Sequence, residues 1–184
     1  MTINPITINN QDVEMVSSHK LLGTYFQESC KWDINSFYLI KKARKRLYCL
    51  SVLKSYGVKK KILITTYKSI IESILANSLM IWYSGLTAIL RKKLNRVVKI
   101  AGKIIGAKLP PLDDLYQQRL HKKFLKIRSD KMHPANNYFT ALPRRVRFKS
   151  FVGNDRFTNS FFPDCVRRRN SFSGRRILIG QDSK

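Results

Sequence analysis

Residues 41–57, KKARKRLYCLSVLKSYG, place five cations in six positions and then run into an apolar stretch closed by glycine. Taken at 100° per residue within a helix from about Ile34 to Tyr56, the stretch separates into two faces. Leu39, Ile40, Ala43, Leu47 and Leu50 share one apolar stripe, while Tyr38, Lys41, Lys45 and Tyr48 lie on the opposite one. Gly57 stands where a helix-ending residue belongs. The cations leave the apolar stripe unbroken and fill its reverse.

Outward from this helix the pattern stays helical. A second helix is predicted from Lys59 to Tyr83, with Leu63, Tyr67, Ile70 and Ile74 aligned and the later run ILANSLMIWY apolar nearly all round, the mark of a central element. Gly85 stops it and Thr87 is placed to cap the next. That third helix, TAILRKKLNRVVKIAGKIIG, gives the cleanest periodicity: Leu90, Leu94, Val97, Ala101 and Ile104 form a seam, and Lys92, Arg96, Lys99 and Lys103 form a cationic line on the far side. Gly106 and Pro110-Pro111 end it. A fourth helix spans about Leu112 to Ser129, with Asp113 and Asp114 in its first turn, where carboxylates complement the macrodipole.

The ends read differently. PITI and DVEMV alternate in part and HKLLGTYF is a β-prone run, so all three read as short strands, with a bend or close backbone approach at Gly23. Beyond His133-Pro134 the periodicity fades into Arg clusters, aromatics, Pro and Gly, and the tail reads as extended or disordered. The fold class is mainly α: a β-rich segment over 1–33, a basic helical bundle over 34–130 and an irregular Arg-rich tail over 131–184.

Composition points to a partner. The 184 residues carry 36 Lys and Arg against 11 Asp and Glu, a net charge of +25. Self-repulsion on this scale opposes a compact chain unless a polyanion offsets it. Glu72 is the sole acid between Ile34 and Ala107, so these helices cannot gain from i,i+4 pairs of opposite charge as ordinary solvated helices do. The expected partner is RNA or DNA. Lys41, Lys45, Lys92, Arg96, Lys99 and Lys103 are the candidate phosphate contacts, and Tyr38 and Tyr48 the candidate stacking residues. Nothing in the pattern reads base edges, so backbone or duplex-shape binding is expected.

Catalytic constellations are not legible. His19, His121 and His133 begin no His-x-Asp or His-x-Glu pair, which leaves a facial-triad iron site without a start. Gly-rich phosphate loops and the nucleophile elbow are missing from the sequence. Cys30, Cys49 and Cys165 lack metal-ligand or framework spacing and read as reduced thiols. No secretory pattern opens the chain, and the apolar run near Ile70–Tyr83 falls short of the ~20 residues a bilayer needs. No metal, cofactor, membrane or enzymatic activity is expected, and the location is expected to be intracellular, nucleus or cytoplasm.

Several ordered motifs also resemble a known family. VEMVSSHKLLGTYFQESCKWDIN, KKARKRLYCLSVLKSYGV, TYKSIIESILANSLMIWYSGL, LNRVVKIAGKIIG, PPLDDLYQQRL, HPANNYF, LPRRVRFK and RFTNSFFPDCVR resemble, in that order, the C-terminal part of LINE-type non-LTR retrotransposon reverse transcriptases. The resemblance implies a primer-grip counterpart at His19-Lys20-Leu21-Leu22-Gly23, with the family's two aromatics replaced. It implies a thumb from Ile34 to Gly106 that holds template–primer duplex or RNA–DNA hybrid. Fingers and palm, with the catalytic aspartates, would be supplied from outside this chain. Residues from about Lys41 to Leu75 are also similar to the domain family named after the N-terminus of an AlkB-homologue alkylated-DNA-repair protein. That second resemblance implies an accessory domain of a nucleic-acid-modifying enzyme, a 2-oxoglutarate dioxygenase or methyltransferase. A decaying open reading frame with no working product is the third reading.

Overall fold

In the computed structural model, which describes residues 6–143 and 147–172, the 41–57 stretch belongs to helix α1, Asp33–Ser55. Its buried residues are Asn35, Ser36, Leu39, Ile40, Ala43, Leu47 and Leu50, the predicted stripe extended by one turn. Helix α1 has no side-chain cap of its own at Trp32. A side chain from the preceding strand substitutes, because Gln27 Oε1 accepts a hydrogen bond from the Ile34 amide at 3.2 Å.

That strand belongs to one of two small antiparallel hairpins. Strands β1 (Thr7–Ile8) and β2 (Gln11–Asp12) pair with Thr7 opposite Asp12. Strands β3 (Ser18–Leu21) and β4 (Thr24–Gln27) pair with Leu21 opposite Thr24. The two-residue turn Leu22-Gly23 takes φ of 48° and 83°, the left-handed pair that a tight hairpin requires and glycine supplies without strain. The second hairpin docks on α1 through Tyr25, whose ring meets Tyr38 edge-on at 5.0 Å and whose amide donates to Asn35 Oδ1 at 3.1 Å.

The second predicted helix is real in extent but not continuous. Helix α2 (Lys60–Tyr67) passes into a π turn (Lys68–Glu72), a short α3 (Ser73–Leu75), a break, and α4 (Leu79–Trp82). A π turn inserts one residue and rotates everything after it. The buried line accordingly steps by fours, Leu63, Tyr67, Ile71 and Leu75, instead of the expected Ile70 and Ile74, which are half-buried. The guanidinium of Arg46 on α1 donates to the Ile70 carbonyl at this irregularity. At the break, Ser78 takes φ 49°, and Asn77 is held from both sides. Its side chain donates to the Leu22 carbonyl at 3.3 Å, and its carbonyl accepts from Trp82 Nε1 at 2.8 Å. The Arg119 guanidinium takes the neighbouring Ala76 carbonyl.

Helix α5 (Ala88–Ile105) has the predicted ends, with Thr87 Oγ1 accepting from the Leu90 amide at 3.3 Å and Gly106 closing it at φ 70°, but its seam ends on Ile105 and leaves the expected Ile104 half-buried. Leu90, Leu94, Val97, Val98, Ala101 and Ile105 are buried, and α5 packs on α1 and α2. Helix α6 (Leu112–Ser129) buries Leu112, Tyr116, Leu120, Phe124 and Ile127. Among the described helices none is long and apolar enough to cross a membrane.

The described part of the tail departs from the extended reading. After a 3-10 turn (Asn136–Tyr138), helices α7 (Asp155–Thr158) and α8 (Phe161–Phe172) form, and α8 packs on α6. Its anchor is Asp164, which is fully buried. Tyr116 Oη donates to its carboxylate at 2.7 Å, Arg168 Nε donates at 2.9 Å, and Arg167 is a third partner. Phe139, Phe148 and Phe124 form an aromatic cluster beneath, and the Asn170 amide pairs with the Phe148 backbone at 2.9 Å on both sides. These ties join residues far apart in sequence, which is why local periodicity missed them. Tail residues 144–146 and 173–184 lie outside the described residues.

Two expected outcomes follow from this packing. Ile71→Ala empties a fully buried site and should cost ~2–5 kcal/mol, whereas Ile70→Ala, half-exposed, should cost well under half as much in urea denaturation; equal losses would place the seam in the uninterrupted register. Asp164→Ala strands Tyr116 and Arg168 and should cost about 3–5 kcal/mol. It should also open the adjacent Cys165, whose thiol burial pushes up to about 12, to labelling under native conditions. Exposed Cys49 labels in both proteins and serves as the internal standard.

Candidate functional site

The cationic residues divide by what they touch. Several arginines are built into the fold, among them Arg46 and Arg119 on the carbonyls already described, Arg91 donating to the Ser84 carbonyl at 2.8 Å, and Arg168 bridging Asp164 to Asp113 at 3.3 Å. A planar fork satisfies such carbonyls and carboxylates better than an ammonium does. Arg91 and Arg168 also lie over the rings of Tyr83 and Tyr116, at 5.2 and 4.9 Å.

The candidate phosphate contacts stand apart from this framework. Lys41 and Lys45 on α1, and Lys92, Arg96, Lys99 and Lys103 on α5, are all exposed. Among the described residues every ion pair falls on Asp113 or Asp164, and none reaches these six. No helix seam is interrupted to accommodate them.

The packing brings the two stripes together. A Cβ at Gly85, just before α5, would sit 3.0 Å from the indole of Trp32, just before α1. One turn further on, Lys93 Nζ lies 5.2 Å from the centre of the Phe37 ring. The two helices therefore start at the same end and run the same way. From that contact Lys41, Arg44, Lys45 and Tyr48 advance along α1 while Arg96, Lys99 and Lys103 advance along α5. The result is a broad cationic face along α1 and α5. Arg44 and Lys93, which the stripe reading passed over, complete it; the signal available was their position flanking the named lysines.

At the far end of α5 the face borders a groove of about 570 Å³ whose walls include Lys99, Lys103 and Lys108 around Gly102, Ala107 and Leu109. A separate cleft of about 290 Å³ lies between α6 and α8, floored by Leu120, Phe124 and Cys165.

The two tyrosines part company. Tyr48 is 73% exposed and stands on the open cationic face. Tyr38 is half-buried at the hairpin junction, where Lys20 Nζ donates to its hydroxyl at 3.1 Å and Lys42 Nζ at 3.4 Å. The Lys20 hydrogen bond draws the Tyr38 phenol below its ordinary value, and the same bond raises the Lys20 ammonium. Tyr38 ties the hairpin to α1, which leaves Tyr48 as the ring free to stack.

Within the hairpin, His19, Lys20, Leu21 and Leu22 are exposed, Leu22 by 88% at the tip, and Gly23 approaches the Asn77 side chain. His121 is exposed and His133 accepts the Ala135 amide on Nδ1 at 3.0 Å. Among the described residues no three His, Cys, Asp or Glu side chains converge to hold a metal ion. Asp113 and Asp114 open α6 as expected, and Asp113 also accepts from Gln117 at 2.7 Å.

Set beside known proteins, residues 32–73 match the family model described as alkylated DNA repair protein alkB homolog 8, N-terminal. The match begins one residue before α1 and ends at the start of α3, so it covers the helical hairpin that carries Lys41, Lys45 and Tyr48. It spans under a quarter of the 184-residue chain. No curated protein and no solved structure matches the chain. Of the two resemblances in the sequence, the match falls on the AlkB-homologue one, over nearly the segment expected for it.

Proposed function

We propose that this chain is a nucleic-acid-binding helical module that holds the phosphate backbone on the α1–α5 face and serves, as the alkB-homologue N-terminal match favours, as an accessory domain beside a nucleic-acid-modifying activity. The observation that carries the reading is the parallel placement of two exposed cationic stripes with no carboxylate paired to them among the described residues. In solution such charges concentrate counterions, and a polyanion that displaces those counterions binds with an entropic gain. Lys41, Arg44 and Lys45 would neutralise one run of phosphates and Arg96, Lys99 and Lys103 a second. Tyr48, exposed between cations, would stack on an accessible base or ribose. The face presents no Asn or Gln fork aimed outward, so the contacts are to backbone and shape.

A second reading assigns the same face to the thumb of a LINE-type reverse transcriptase fragment. One observation favours it: the tight Leu22-Gly23 hairpin runs straight into α1 and is bonded to the bundle through Asn77, the order of primer grip and thumb that the motif resemblance implies. Under either reading the chain contributes grip and not bond-making.

Binding of the purified chain to RNA–DNA hybrid, DNA duplex and single strand, titrated with salt, tests the function. If ~6–10 phosphates are engaged, affinity should fall by roughly 10³–10⁵ between 50 and 200 mM salt. K92E/R96E/K99E should weaken binding more than tenfold with an unchanged denaturation midpoint. A flat salt response, or full affinity in that variant, would overturn the assignment. Preference for hybrid over duplex supports the thumb reading, and 2-oxoglutarate turnover or methyl transfer by the chain alone would overturn the accessory one.

A further inference from the structure

Where α5 ends, the cationic face runs into a groove that the chain builds by doubling back on the helix. Gly106 turns the backbone at φ 70°, and the Ala107 amide donates to the Gly102 carbonyl at 3.0 Å. A Cβ at Gly102 would come within 2.8 Å of the Ala107 carbonyl oxygen, so glycine is what lets the returning segment lie this close. That segment is pinned at its other end, where the Leu112 amide donates to Asn95 Oδ1 at 3.0 Å. The groove of about 570 Å³ between helix and segment has no acid among its lining residues. Its apolar part is Val98, buried, with Ala107 and Leu109, half-buried. Lys99 and Lys103 line it from the helix and Lys108 from the returning segment. All three are exposed, and none enters an ion pair among the described residues.

We infer that this groove receives one unstacked nucleotide, base inward and phosphates on Lys99, Lys103 and Lys108, where a strand held on the α1–α5 face leaves its duplex. An apolar hollow with cations on both walls fits a ligand that has a flat, weakly charged body between anionic groups, and a nucleotide within a strand is such a ligand. Lys99 and Lys103 belong both to the groove and to the stripe on α5, so a backbone followed along the stripe reaches the groove without a gap. The volume falls within the ~300–1,000 Å³ of clefts that enclose small ligands. Bases inside a duplex cannot enter it, because extruding one sacrifices its stacking and pairing, whereas a single-stranded overhang offers a base already free. With both ends of the returning segment bonded, the groove is formed before the ligand arrives, and binding need not order it. The chain would therefore select junctions that carry an unpaired extension over continuous duplex.

This inference rests on the α1–α5 face being a phosphate-binding face, and the experiment separates the two claims. The full chain is titrated by fluorescence anisotropy against three 20-bp DNA duplexes: blunt, with a six-nucleotide overhang, and with the same overhang made of abasic residues. The abasic overhang adds the same phosphates and no base. The base-bearing overhang should bind roughly tenfold tighter than the abasic one. Ala107→Trp fills the groove without changing charge and should erase that difference while blunt-duplex affinity stays within about threefold of wild type. Lys108→Gln should weaken both overhangs and spare the blunt duplex. Photocrosslinking of a 4-thiothymidine overhang to wild type should map to residues 98–111, which tests the groove even if the tryptophan variant fails to fold. Equal affinity for the two overhangs, a crosslink elsewhere, or a difference that survives Ala107→Trp and is lost in Tyr48→Ala overturns the groove and leaves the proposed function standing. Equal affinity for the overhangs together with loss of anionic-vesicle binding in Ala107→Trp would give the groove to an acyl chain, and also overturns it. Absence of binding to all three duplexes overturns both claims.

Discussion

Everything in this structure answers to a single constraint: a chain with a net charge of +25 must fold with almost no carboxylate inside to offset it. The solution is segregation by helix face. On α1 and α5 the seams are free of charge, and the cations stand on the reverse where water screens them. The buried carboxylate Asp164 is the exception, and it is saturated by Tyr116, Arg167 and Arg168. Such a site stabilises only while every partner is present, because a half-satisfied buried charge is strongly unfavourable. It fixes α8 on α6 and thereby closes the bundle's far side.

Arginine and lysine take different parts in this arrangement. Along the irregular path from α2 to the residues just past α4, Arg46, Arg119 and Arg91 reach the carbonyls of Ile70, Ala76 and Ser84. An unsatisfied buried carbonyl would carry a desolvation cost of ~1–3 kcal/mol, so these guanidiniums stabilise the break. The same break lets Asn77 hold the second hairpin, which in turn caps α1 through Gln27. Lys42 bonds Tyr38 and Lys93 lies over Phe37, but Lys41, Lys45, Lys92, Lys99 and Lys103 are exposed and enter no ion pair among the described residues. Exposed to water and unpaired, those five can exchange small counterions for a polyanion.

The legible and illegible parts of the fold divide along the same line. Helices α1 and α5 were readable because their seams hold a helical period over several turns and their stops are glycines, and α6 because Pro110-Pro111 and two carboxylates mark its start. The π turn was not, since nothing in the local spacing of apolar residues separates Ile71 from Ile70, and the Ile70 carbonyl finds its partner in Arg46, 24 positions away. Helix α8 was hidden because its stability comes from Asp164 and Asn170, polar residues whose partners are Tyr116 and Phe148. The candidate site shows the same limit. Which lysines are exposed follows from helical spacing, but that α1 and α5 lie parallel, and that Tyr38 is drawn into the hairpin by Lys20, are facts of tertiary packing.

The extent of the family match has a structural meaning on this view. Residues 32–73 form a helical hairpin, α1 folded back on α2 and its π turn. That unit supplies one cationic stripe and half of an apolar interface. Its exposed seam needs a further helix, and in this chain α5 covers it with Leu90, Leu94, Val97 and Ala101 and brings the second stripe alongside. A similar hairpin set against a different partner helix would keep Lys41 and Lys45 but present another surface beside them. On the proposed reading, then, the shared segment carries the ability to grip phosphate, whereas the width of the face and the class of nucleic acid it accepts are set by the residues that lie outside the match.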